Sequence, residues 1–124
     1  MAKCDEGYLC EVCGEEVEGI ANSDLYLRFV IGEMDPEQLH TSPERHITCN
    51  PILAQFIDDD RFEQPERLDI PDGFALADLD DDYVASRREL ATRGYQRLLE
   101  LAASDEEMAI YEYPLPEAIA KWRA

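Results

Sequence analysis

The chain has 124 residues, with 29 acidic against 11 basic and a formal net charge of −18. That length fits one domain, residues 1–124, with a core of modest size. A surface this acidic is repelled by phosphates, which disfavours nucleic acid as a partner; the charge reads first as a means of solubility, and a basic protein surface is the one partner class it recommends. The longest apolar run, around Phe29-Val30-Ile31, is far short of the roughly 20 residues that span a bilayer, so no membrane segment is expected. The opening residues, Met1-Ala2-Lys3-Cys4-Asp5-Glu6, hold no apolar stretch, so no secretory signal is expected and the expected compartment is the cytoplasm. Thiols stay reduced there, and the four cysteines read as metal ligands rather than disulfides.

Residues 1–20 form a cysteine-bearing turn region, closed by Asn22-Ser23-Asp24. The stretch Leu25 to Ile31 is rich in aromatic and β-branched side chains and lies between turn residues. That favours a strand with Leu25, Leu27, Phe29 and Ile31 on one face. A helical alternative stays open, because Ser23 can cap a helix and Leu27, Val30, Ile31 and Met34 fit a helical stripe. Asp35-Pro36 breaks the element, and short turns follow through Leu39 and from Thr41 to Glu44. Asn50 is a good N-cap with Pro51 at the first helical position, and Ile52, Leu53, Phe56 and Ile57 give an apolar helical face. Residues 58–80 read as an irregular acidic crossing segment punctuated by Pro65, Pro71 and Gly73. The longest helix is predicted from Asp81 to Ala103, with Asp80 to Asp82 at the end where the helix dipole favours anions. Gly94 in its middle costs about 1 kcal/mol against Ala. Met108 to Tyr111 is expected to be a short strand. Pro116 to Trp122 is expected to be a final helix with Ile119 and Trp122 turned inward.

The chemistry-bearing residues fall into two pairs, Cys10-x-x-Cys13 and His46-x-x-Cys49. Zinc takes four soft or borderline ligands at tetrahedral angles. A Cys-x-x-Cys turn supplies two of them from one tight loop, and the glycine that follows, Gly14, permits the positive φ that lets amides reach the sulfurs. A second pair just before a helix supplies the other two. Cys4 is the alternative ligand: it can replace His46 in an all-cysteine site or remain a free thiol. The plainer reading is that the cysteines are small buried hydrophobes and the histidine an ordinary one. Four protein ligands describe a closed structural site rather than a catalytic one with an open position. The chain has no His-Glu-x-x-His, no Gly-x-Ser-x-Gly and no phosphate-binding glycine loop.

This layout resembles the treble-clef class of zinc fingers, in which a knuckle, a β-hairpin and a helix carry the ligands. The resemblance spans residues 4–57 and implies that Cys10, Cys13, His46 and Cys49 hold one structural zinc ion, with histidine in the third place. A second resemblance implies a different metal. The spacing Cys4-x5-Cys10-x2-Cys13, with Cys49 further on, is similar to that of adrenodoxin-type [2Fe–2S] ferredoxins, and the acidity suits such proteins. The knuckle alone is also similar to the iron–thiolate turn of rubredoxins.

The expected architecture is α+β: a zinc-stapled N-terminal unit (4–57; knuckle, short strands, helix) packed with a mainly helical subregion (81–123). The expected function is that of a small acidic zinc-binding protein, a structural or protein-interaction module without catalytic activity. An iron–sulfur or iron–thiolate electron carrier is the alternative. A zinc-dependent hydrolase stands third.

Overall fold

A computed structural model describes residues 9–17, 19–34, 37–64, 70–104, 109 and 112–123, with the side chains of 40 and 121–123 outside that description. Cys4, residues 65–69 of the crossing segment, the expected strand at 108–111 apart from Ala109, and the expected inward packing of Trp122 therefore lie outside the described residues.

The fold is helical, not α+β. Among the described residues helix accounts for 53% and strand for 4%, and they form no sheet, only the isolated antiparallel bridges Leu9–Glu16 and Ser23–His46. The expected strand over Leu25–Ile31 is instead a helix, α1, Asp24–Val30. Local chemistry decides this: the Ser23 side chain accepts a hydrogen bond from the Tyr26 amide at 3.1 Å, and Asp24 places its charge in the first turn. The alternating pattern is uninformative because every residue of α1 but Arg28 is buried, Leu25, Tyr26, Leu27, Phe29 and Val30 among them. Seven residues are too few for a helix to persist alone, so packing stabilises this one.

The second helix, α2, covers only Pro51–Ala54. Pro51 starts it as expected, but the Asn50 side chain does not cap it. Leu53, Phe56 and Ile57 are buried beyond or within it, whereas Ile52 faces outward. The described part of the segment after α2 is irregular apart from a 3-10 turn at Leu76–Asp78. It is tied to the long third helix by hydrogen bonds from the Asp58 amide to Thr92 Oγ1 (2.9 Å) and from Tyr95 Oη to the Arg61 carbonyl (3.1 Å). Arg61, through its side chain and amide, and Gln96 hold the Asp59 carboxyl well below the usual carboxylate range.

The third helix, α3, spans Asp81–Ala103 as the sequence predicts, with the Asp80 carboxylate accepting from the Asp82 and Tyr83 amides. Its inward face is Ala91, Gly94, Tyr95, Leu98 and Leu101. The fourth helix, α4 (Pro116–Arg123), is docked by the Leu115 amide on the Val30 carbonyl at 2.9 Å and by an Arg93–Glu117 ion pair. Arg97 reaches from α3 to the Tyr113 carbonyl at 2.8 Å, and Tyr113 packs its ring against Tyr26. One hydrophobic cluster runs through α1, Ile47, α2, α3 and the Tyr113–Leu115 turn. None of the described helices is long and apolar enough to cross a membrane.

Gly94 has a packing reason that its helical propensity hides. A Cβ at that position would lie 2.4 Å from Ile31 Cγ2 and 3.0 Å from Leu27 Cδ1, so the bare backbone lets α3 press against α1. Ile31 is β-branched and stiff, and cannot swing clear. Gly94→Ala therefore loses about 1–3 kcal/mol through overpacking, instead of gaining the roughly 1 kcal/mol an unconstrained helix site would give. The urea midpoint measures the sign, and a stabilised variant would contradict this helix crossing.

Candidate metal centre

The knuckle is built by backbone hydrogen bonds around Cys10. Its amide donates to the Glu15 carbonyl at 2.8 Å, the Gly14 amide donates back to the Cys10 carbonyl at 2.9 Å, and the Leu9–Glu16 bridge closes the base. Gly14 takes the φ of +77° that this reversal requires. The second pair sits on another short turn, with the Cys49 amide donating to the His46 carbonyl at 3.0 Å. Between them Ile47 is 1% exposed and plugged into the core, which anchors the turn. The Glu11 amide donates to the Glu44 carbonyl at 2.9 Å and joins the two halves.

These turns bring the donor atoms of Cys10, Cys13, His46 and Cys49 within 4.8 Å of one another. Among the described residues this is the one group of three or more His, Cys, Asp or Glu placed to hold a metal ion. The acidic runs Asp58–Asp60 and Asp80–Asp82 form no such group. Cys13 Sγ lies 3.3 Å and Cys49 Sγ 3.8 Å from His46 Nδ1. A zinc tetrahedron with Zn–S of about 2.3 Å and Zn–N of about 2.0 Å has S···N edges of about 3.5 Å, so both distances suit one ion between them.

The opposite ring nitrogen is fixed. His46 Nε2 lies 2.8 Å from the Glu16 carbonyl oxygen, which can only accept, so Nε2 carries the proton and Nδ1 presents its lone pair to the cluster. The thiols are strongly differentiated. Burial pushes the Cys10 thiol up, but the amides of Cys13, His46 and Val12 outweigh it and hold Cys10 at about 6. Burial also raises the Cys49 thiol, and its Cys10 and Cys13 neighbours add to that, pushing it up to about 12. Sulfurs this close cannot all ionise without a cation, so loading the site displaces at least one proton, and affinity rises with pH.

A buried carboxylate holds the second turn in place. Asp24 is fully buried. Its Oδ2 accepts from Arg45 Nε (3.1 Å) and Arg45 Nη2 (2.9 Å), and its Oδ1 accepts from Asn50 Nδ2 (2.8 Å). Arg28 Nε lies 2.9 Å from the same Oδ2 as an ion pair. The Asp24 amide donates to the Arg45 carbonyl at 2.8 Å. Arg45 immediately precedes His46 and Asn50 immediately follows Cys49, so Asp24 grips both ends of the ligand turn. Ser23 Oγ adds a 2.7 Å hydrogen bond to Glu44 Oε1, which also accepts from the Arg45 amide at 3.1 Å. Burial holds the Glu44 carboxyl above its ordinary value despite those donors.

Of the residues singled out from sequence, the structure gathers Cys10, Cys13, His46 and Cys49. Sequence reasoning missed Asp24 and the amide role of Asn50, which read only as a turn residue and an N-cap. No family model, curated protein or solved structure matches this chain, so the functional reading rests on this geometry.

Asp24→Asn leaves two guanidinium groups without their carboxylate. We expect it to cost about 3 kcal/mol, the lower end for a broken buried ion pair, since both arginines keep partial solvent contact. Urea denaturation measures the loss, and a change under about 1 kcal/mol would contradict the clamp.

Proposed function

We propose that the protein binds one zinc ion through Cys10 Sγ, Cys13 Sγ, His46 Nδ1 and Cys49 Sγ, in a closed structural site of treble-clef-like layout. The observation that carries this is the convergence of four donor atoms from two separate turns, with the histidine tautomer already set. The zinc would staple the knuckle to the turn that Ile47 and Asp24 fix to the core. Four protein ligands leave no open position for a substrate, which favours a structural or protein-interaction module over a hydrolase. The layout keeps the knuckle first and the second pair just ahead of a helix, with α1 standing where a hairpin would.

The partner class that fits is a basic protein surface. Leu9 and Val12 stand exposed on the knuckle among Glu11, Glu15 and Glu16, so the tip offers apolar contact within negative charge. A reducing compartment such as the cytoplasm suits three thiolate ligands.

Elemental analysis with the visible spectrum of the purified protein tests this reading. The expected result is one zinc per chain, no colour, and loss of the near-ultraviolet signal of the packed tyrosines when a strong chelator removes the metal. Iron with visible bands would turn the reading to electron transfer. A metal-free protein that takes up no added zinc would overturn it.

A further inference from the structure

The four ligands are held unequally. Cys10 is buried and its sulfur receives the Val12 amide at 3.4 Å and the His46 amide at 3.5 Å. His46 is fixed from behind by Glu16. Cys49 is half-buried in the turn that Ile47 plugs and that Asn50 ties to Asp24. Cys13 differs from all three. It lies within residues 11–16, every one of them exposed, and next to Gly14, around which the space is open. Its sulfur meets His46 Nδ1 at 3.3 Å and neighbours Cys49, both inside the cluster.

We propose that Cys13 is the exchangeable ligand of the centre and the position at which soft electrophiles enter. The proposal rests on the metal-binding reading above and names its point of attack. With an α,β-unsaturated carbonyl compound the step needs no oxidant. The Cys13 sulfur forms a bond to the β-carbon, the π electrons move onto the carbonyl-conjugated α-carbon, and water supplies the proton there and leaves as hydroxide. The thioether formed is neutral and a poor ligand, so its bond to the metal opens and three protein donors remain. A metal held by three donors dissociates far more readily than one held by four. Modification at one exposed atom would thus unlock a staple whose other ligands are sheltered.

The test is a time course of the zinc-loaded full chain with N-ethylmaleimide. Each cysteine is followed by peptide mass mapping, and released zinc by an indicator dye. We expect Cys13 to be modified at least about tenfold faster than Cys10 and Cys49, with zinc release matching Cys13 modification one to one. Mapping residue by residue separates Cys4, whose modification is expected to run independently of zinc release. Earlier modification of Cys49 or Cys10, release that follows Cys4, or complete Cys13 modification with zinc retained would each overturn the proposal. Failure of all four cysteines to react would do so too. A protein holding no zinc before the reagent is added would instead sink the metal-binding reading, so the two failures are distinguishable.

Discussion

A carboxylate removed from water is tolerable only when its charge is answered, and Asp24 is answered by two arginines and an amide. Those partners come from three places: Arg28 on the same helix, Arg45 ahead of the ligand turn, and Asn50 behind it. The first residue of α1 thereby positions residues 45–50, while the rest of α1 forms the centre of the core. The candidate metal centre and the hydrophobic core thus share one hydrogen-bonded joint. Anything that loosens α1 also loosens the turn that carries His46 and Cys49.

The arginines explain how so acidic a chain packs. Arg28, Arg45, Arg61, Arg87, Arg93 and Arg97 each form an ion pair, and those of Arg45, Arg87 and Arg93 join segments distant in sequence. Exposed pairs of this kind contribute little singly. Arg97 and Arg45 do more, because they also tie backbone or buried carboxylate to the core. The remaining acids leave the chain with a formal net charge of −18.

Much of the site was legible in the sequence, because paired ligand spacing is a local signal. The two turns, Gly14 at positive φ and Pro51 at the start of α2 followed from residue types at fixed offsets. The limits of α3 followed from charge placement and periodicity. The α+β architecture did not survive, and the reason is specific. With α1 buried everywhere but at Arg28, six of the seven positions from Leu25 to Ile31 are apolar and carry little period to read, so the decision passes to Ser23 as a cap. Gly94 read as a weakness because its compensation, close approach to Ile31 and Leu27, is a tertiary contact. Asp24 was invisible for a similar reason: nothing local marks an aspartate that grips Arg45 and Asn50, each more than twenty residues away.

A small helical domain with a sulfur-rich centre on one flank is consistent with a stapled binding module, in which the metal supplies shape and the surface supplies recognition. Everything in that account depends on one coordination sphere. X-ray absorption at the zinc edge of the loaded protein tests it most directly. The account predicts three sulfurs at about 2.3 Å and one nitrogen at about 2.0 Å, with the outer scattering of a single imidazole. Four sulfurs with no imidazole signal would place another cysteine where His46 Nδ1 is assigned and contradict the arrangement described.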